Sequence, residues 1–365
     1  MVKRKFISVR LLKPGMVIDQ SIVDGTRRVL IRRKTALDDY MINSLQQMRI
    51  GGVYIREGEE SEEELTYNIT PEVMEKIEKE KVPDRAKLEL NESVKKRVAT
   101  GVQFLYSNPD APGFMDAAND ISNELMHALD ENDALAVDVN ALKVSDEYTF
   151  KHSVDVASMG MIIAKNRGLS QKEVQQIGVS GLLHDLGKSK IPNEVLNKPG
   201  RLTDEEFEVM KTHPVLGYNM IKNKQGLSDA TKLGVLQHHE KMTGNGYPLK
   251  LQAAQIHPFA RILSVADIYD ALVTERPYKE AFTPRDAVEM IMAMTEDLDI
   301  QVIQSFLNSV ILYPVDSVVK LSTGEFAKIV ENIPRYPTRP TVITLNRGQT
   351  YALASDIRCA NIVVI

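Results

Sequence analysis

Leu183-His184-Asp185-Leu186-Gly187-Lys188 closes a helical stretch that opens at Ser170 with Glu173 three residues on, the pattern of a capping box. A histidine beside an aspartate at a helix end is a weak signal alone. Its neighbourhood strengthens it. Six of the seven histidines lie between Lys151 and Pro258: His152, His184, His213, His238, His239 and His257, with Asp267 following. Imidazole nitrogen suits first-row transition metals, and a carboxylate can bridge two of them. The set therefore points to a cluster of divalent metals.

The punctuation around these residues is helical. A helix expected from Ser145 carries His152 and ends near Gly168. Thr203 and Glu206 form a second capping box, on a helix halted by His213-Pro214. Ser228 or Asp229 starts a helix that ends at His238-His239. Pro258 opens one that carries Asp267 and stops near Arg276-Pro277, and Thr283-Pro284 begins the next. Each candidate ligand thus falls on or at the end of a separate helix, which is how a helical bundle builds a metal site in its core.

The flanks differ. Residues 7–12, 16–23 and 28–31 read as short strands, followed by a helix over 37–48 and a strand over 53–55. Residues 1–50 carry eleven Lys and Arg against four Asp, read as a solvated strand surface, with steering of an anionic partner as the alternative. Residues 57–64 are nearly all acidic and read as a linker. From 70 to 130 the pattern is helical, broken at Pro83 and around Pro109 and Pro112. Beyond 312, strands are expected over 315–321, 326–330, 341–345 and 362–365.

At 365 residues the chain has room for two or three domains. No apolar run approaches a membrane span, and the basic start is not followed by a signal-peptide core. The single Cys359 excludes an intrachain disulfide and thiolate metal sites, and reads as a buried small hydrophobe. A cytoplasmic location is expected. A net charge of −5 gives no reason to expect a nucleic acid polymer as ligand.

Five ordered motifs resemble the HD-GYP domain. They are Asp146-Glu147-Tyr148-Thr149-Phe150-Lys151-His152, then the His184-Asp185 run with Asn197-Lys198-Pro199-Gly200-Arg201-Leu202-Thr203 after it. His238-His239-Glu240 and Gly244-Asn245-Gly246-Tyr247-Pro248 come next, and last Asp267-Ile268-Tyr269-Asp270 before Arg276-Pro277-Tyr278-Lys279. The resemblance covers residues 117–312. Residues 6–17 resemble the small domain of unknown function found ahead of some HD-GYP domains. The expected architecture is multidomain and mainly α. It has an α+β domain over 1–56, a linker with connecting helices over 57–116, an all-α bundle over 117–312 and a β extension over 313–365.

The resemblance implies a phosphodiesterase that opens cyclic di-GMP to pGpG, and on to GMP, at a site of divalent metals. The implied ligands are His152, His184, Asp185, His213, His238, His239 and Asp267, with Asp185 bridging. Asp185 and Lys188 are the implied catalytic residues, and Lys188, Tyr247, Arg276 and Lys279 the substrate-binding ones. Members with three metals carry a glutamate four residues before the first histidine; here that position is Tyr148, so two ions are expected. Fe or Mn is expected, with Mg, Ni or Zn as alternatives. Many members have Asp where this chain has Thr243, a change outside the implied ligand set. Partners implied are a diguanylate cyclase domain on the Gly246-Tyr247-Pro248 loop and a second copy of the chain.

Other readings stay open. Tyr247 either shapes a turn between glycines or touches substrate or a partner. His257 reads as a helix-start residue and His127 as structural. The substrate can instead be another cyclic dinucleotide such as cyclic GMP-AMP. A non-catalytic cyclic di-GMP receptor or interaction module is the alternative from a different class, and an intact ligand set argues against it.

Overall fold

The structure is a computed structural model that describes residues 3–18, 22–23, 29–31, 35–48, 50, 52–57, 69–88, 92–131, 134–138, 148–274 and 281–365. The chain divides into two compact units, Met1–Ile69 and Thr70–Ile365. In chain order the first unit holds β1 (Lys3–Ser8), β2 (Val17–Ile18), β3 (Ile22–Val23), β4 (Val29–Ile31), α1 (Asp39–Gln47) and β5 (Gly52–Glu57). β5 is the middle strand between β1 and β2, and β3 pairs with β4. Asp38 caps α1 by accepting from the Met41 amide, and α1 buries Ile42 and Leu45 at helical spacing. These pack with Val9, Leu12, Ile18, Val53 and Ile55. The strand expected over 7–12 ends at Ser8, and Val9–Leu11 form a 3-10 turn closed by the Leu12 amide on the Val9 carbonyl. Val9 and Leu12 are still buried, so a turn satisfies the apolar pattern that suggested a strand.

The second unit opens with α2 (Pro71–Glu80), α3 (Glu92–Ser107), α4 (Phe114–Glu131) and β6 (Val137–Asp138). The bundle follows as α5 (Tyr148–Asn166), α6 (Gln171–Leu183), α7 (Asn193–Leu196), α8 (Asp204–Met210), α9 (His213–Ile221) and α10 (Asp229–Gln237). It is completed by α11 (Pro258–Val273), α12 (Pro284–Ala293) and α13 (Ile300–Ser309). Both expected capping boxes form, Ser170 with Glu173 and Thr203 with Glu206, and Ser228 rather than Asp229 caps α10. Helices α5, α6 and α11 bury nearly featureless apolar faces, among them Ile162, Ile163, Ile177, Leu182, Leu263 and Ala266.

Described residues of the segment 57–116, read from sequence as linker and connecting helices, contribute to this core. Helix α3 buries Val98, Val102 and Leu105 against it, because its apolar residues recur on one helical face. A short parallel pair joins β6 to β7 (Val310–Ile311).

The tail forms a four-stranded antiparallel sheet of β8 (Val318–Lys320), β9 (Phe326–Glu331), β10 (Thr341–Thr344) and β11 (Thr350–Ala352), in the order β11-β10-β9-β8. It has its own core of Leu321, Ile329, Val342, Leu353, Cys359 and Val364. The strand expected over 362–365 is reduced to a single bridge, Val364 to Leu321, because residues 357–360 turn as a 3-10 helix just before it. The fourth strand is β11 instead, three residues too short to show alternation. The Asp84 carboxylate accepts from the Val315 amide and the Asn332 side chain, fastening the sheet to the bundle side of the same unit.

Candidate metal centre

Three histidines sit where helices stop. His184 follows the last residue of α6, His213 comes three residues after the end of α8, and His238 follows α10. The last carbonyls of a helix have no intrahelical partner. Each imidazole supplies one: Nδ1 of His184 donates to the Gly181 carbonyl at 2.6 Å, His213 to Met210 at 2.8 Å and His238 to Val235 at 2.8 Å. A carbonyl can only accept, so Nδ1 carries the proton and Nε2 keeps its lone pair. His152, in the second turn of α5, is turned with Nε2 toward the same place, its Nδ1 lying 2.6 Å from Oδ2 of Asp270. The helix ends choose the tautomer.

The four Nε2 atoms converge. His152 and His184 face each other at 3.2 Å, and His213 and His238 at 3.3 Å. His213 and His238 hold no proton to share, so that pair sets two lone pairs against each other in a buried place. Asp185 stands between the pairs, with Oδ2 3.5 Å from His152 and 3.4 Å from His184, and Oδ1 3.3 Å from His213. That buried Oδ1 has no hydrogen-bond partner. Asp267 on α11 completes the set, 3.2 Å from His152 Nε2 and 3.7 Å from Nδ1 of His239. Ligand atoms fall into three groups, each within 4.8 Å: His213-His238-His239, His152-His184-Asp185 and His184-His238-Asp267. All seven residues singled out as ligands are in them. Opposed lone pairs and an orphaned carboxylate oxygen fit divalent cations, which would take all of them at once.

The electrostatics agree with that donor set. Burial depresses the imidazoles of His184 and His238, takes His213 to about 4 and His239 to about 3, and so keeps all four neutral. His152 differs. Burial opposes its charge, but hydrogen bonds with Asp185, Asp267 and Asp270 carry its pKa well above the usual value. Burial works to raise the pKa of both Asp185 and Asp267. Lys188 and His184 at Asp185, and His152 and His239 at Asp267, outweigh it and keep both ionised.

The remaining residues fall around this centre. Lys188, singled out for substrate phosphate, has Nζ 2.6 Å from Asp185 Oδ2, so its ammonium is on the central carboxylate. The Tyr247 ring lies 4.6 Å from that of His239 at 33°. Arg276 and Lys279 lie outside the described residues, as does Glu147, and the Tyr148 side chain is likewise not described. His257 is the N-cap of α11, accepting from the Phe259 amide as a helix-start residue does, and His127 is exposed on α4. Thr243 donates to Asp297, which also pairs with Lys241, so the residue that departs from the family pattern anchors its loop.

Three contributors escaped sequence reasoning. Asp270 orients His152; it stood in the quoted motif with no role given, three residues after Asp267 on the same helix face. Glu240 is buried, and its carboxylate accepts the amides of Leu249 and Leu251, fixing the far side of the loop. Tyr106 on α3 hydrogen-bonds Ser153 at 2.9 Å, beside His152. Two glycines permit the close approaches. A Cβ on Gly187 would stand 2.0 Å from the His213 carbonyl oxygen, and one on Gly246 2.3 Å from the Lys241 nitrogen.

The HD domain family matches residues 137–302, the stretch that holds every one of these ligands. The chain carries an HD domain. Gly246-Tyr247-Pro248 lies within the matched stretch. A cyclic di-GMP phosphodiesterase of Pseudomonas aeruginosa is 35% identical to the chain over 225 residues, which are 62% of this chain and 54% of that protein. The cyclic di-GMP phosphodiesterase response regulator RpfG of Xanthomonas campestris pv. campestris is 39% identical over 164 residues, 45% of this chain and 43% of its own. The 3'3'-cGAMP-specific phosphodiesterase 2 of Vibrio cholerae is 36% identical over 155 residues, 42% of this chain and 30% of its own. The chain thus spans about half the length of the first relative and less of the others. Helices α3 and α4 and the C-terminal sheet lie outside the HD domain match, although α3 supplies Tyr106 to the edge of its site.

Proposed function

We propose that this HD domain hydrolyses a phosphodiester bond of cyclic di-GMP, giving pGpG and then GMP, with two divalent ions, Fe or Mn, in the cluster. The observation that carries the reading is the arrangement of Asp185. One of its oxygens faces His152 and His184 and the other faces His213, so a single carboxylate can serve two cations. The HD domain match and the two relatives that bear the name cyclic di-GMP phosphodiesterase support it.

His152, His184, Asp185 and Asp267 would hold one ion, and Asp185, His213, His238 and His239 the other. Bound there, such ions supply Lewis acidity at the scissile phosphate and lower the pKa of a water towards neutrality. The protein does the rest. Asp270 and the helix-end carbonyls hold the imidazoles in the ligating tautomer. The dry surroundings of Asp185 and Asp267 keep competing water away from the charges. Lys188, paired with Asp185 here, would be free to meet the substrate phosphate once cations held that carboxylate, joined by Arg276 and Lys279. Arg suits a two-point grip on phosphate, and Lys acts as a point charge.

The second reading is cyclic GMP-AMP as substrate, favoured by the named activity of the Vibrio cholerae relative. A diguanylate cyclase domain on the loop 244–248 and a second copy of the chain are the partners we propose, with the cytoplasm as location. No helix among the described residues is long and apolar enough to cross a membrane.

The test is metal analysis of the purified chain, with chromatography of its products from cyclic di-GMP and from cyclic GMP-AMP. Asp185→Ala should lose both metal and turnover, because one carboxylate holds two cations together. Hydrolysis near the wild-type rate by that variant would refute the assignment. Exclusive cleavage of cyclic GMP-AMP would select the second reading.

A further inference from the structure

Single exposed hydrophobic side chains are common and need no explanation. Phe207 on α8 is different in its surroundings. The side chain is 46% exposed. Its ring meets that of Tyr247 edge-on, centroids 6.4 Å apart at 78°, and Tyr247 lies against His239 and 6.4 Å from His213. A row of rings therefore runs outward from two of the metal-centre imidazoles through Tyr247 to Phe207. Lys211 places its ammonium over one face of the Phe207 ring, 5.2 Å from the centroid, while pairing with Glu208, and the other face is left for a ligand. Tyr247 and Phe207 stand nearly perpendicular, so the second ring offers a surface that the first does not cover.

We propose that Phe207 is a substrate-binding residue, stacking one purine base of a cyclic dinucleotide at the exposed edge of the metal centre. This rests on the cyclic-dinucleotide reading above. With the scissile phosphate at the cations, the sugar carries its base outward, and the row of rings follows that direction. Aromatic side chains stack any base through its π face, without reading its hydrogen-bonding edge. Phe207 therefore strengthens capture of guanine and adenine alike. It does not separate cyclic di-GMP from cyclic GMP-AMP.

The experiment uses the metal-loaded full chain. Phe207→Ala, Phe207→Tyr and Phe207→Trp are compared with wild type on cyclic di-GMP, cyclic GMP-AMP and methyl p-nitrophenyl phosphate, a small diester with no base. Stacking of one base predicts that Phe207→Ala raises KM for both dinucleotides roughly 5- to 150-fold. Metal content and turnover of the small diester should stay unchanged, and Phe207→Tyr should restore KM. The chain has no tryptophan, so Phe207→Trp introduces a single reporter. Its emission should be quenched saturably by GMP, which is not cleaved. An unchanged KM in Phe207→Ala overturns the proposal, as does emission indifferent to GMP, or loss of metal from the alanine variant. If wild type cleaves the small diester but neither dinucleotide, the substrate reading itself fails and the role of Phe207 falls with it.

Discussion

Oδ2 of Asp270 lies 2.6 Å from Nδ1 of His152, across 118 residues of chain, and so decides which nitrogen of that imidazole faces the other ligands. His184, His213 and His238 receive the same service from carbonyls three residues earlier. His152, inside a continuous helix, has no free carbonyl to use and depends on a carboxylate from α11.

Asp270→Ala should therefore weaken metal binding about 10- to 100-fold, the usual cost of removing the group that orients a ligating histidine. Asp270→Asn keeps an acceptor and should fall between the two. Competition with a calibrated chelator measures both. Equal affinity in all three proteins would deny the carboxylate any orienting role.

The chelator-treated protein should lose stability as pH falls. His184, His213, His238 and His239 have depressed pKa values, chiefly from burial, so they are neutral when folded and take up protons once unfolded below about pH 6.5. The unfolded state binds more protons between about pH 6.5 and 4, and stability drops through that window. His152, with its raised pKa, contributes in the opposite sense, present below about pH 6.5 and lost as pH rises. Four against one sets the direction. His213, held to about 4, alone contributes about 2 kcal/mol of the loss between about pH 7.5 and 5. A urea midpoint that is no lower at about pH 5 than at about pH 7.5 would contradict this.

Arg276→Ala should leave metal content unchanged and lower kcat/KM on the order of 10- to 150-fold, the worth of a charge-assisted phosphate contact. Steady-state kinetics on cyclic di-GMP and elemental analysis of the same preparation decide it. Loss of metal would make Arg276 an anchor for α11 instead.

Elemental analysis of anaerobically purified, iron- or manganese-loaded protein should give about two ions per chain. The reason is Tyr148, which stands where a third-metal glutamate occurs in relatives of this type. A reproducible third ion in that preparation would sink the expectation.

The parts legible in the sequence were those fixed by local chemistry. Ser170 and Glu173, or Thr203 and Glu206, meet within one turn, so their caps were readable from spacing and form as expected. The clustered histidines and aspartates were readable as candidates because histidine at helix ends is distinctive, although resemblance rather than spacing turned them into a candidate ligand list. Asp270 and Glu240 were not readable as contributors. Their roles depend on contacts between separate segments, with His152 in one case and with the amides of Leu249 and Leu251 in the other. The β tail was misjudged at its end because Val364 pairs through one bridge only, while three unremarkable residues, Thr350, Tyr351 and Ala352, make the strand.

The carbonyls that cap Nδ1 of His184, His213 and His238 belong to the last turns of α6, α8 and α10, ends that carry about half a negative charge each. Asp185, Asp267 and Asp270 lie among them, with the Lys188 ammonium against Asp185. Divalent ions bound there would offset that negative charge for an anionic diester. Metal loading should then tighten the grip on the dinucleotide as well as enable its cleavage, so a chain starved of metal would leave more of the nucleotide free.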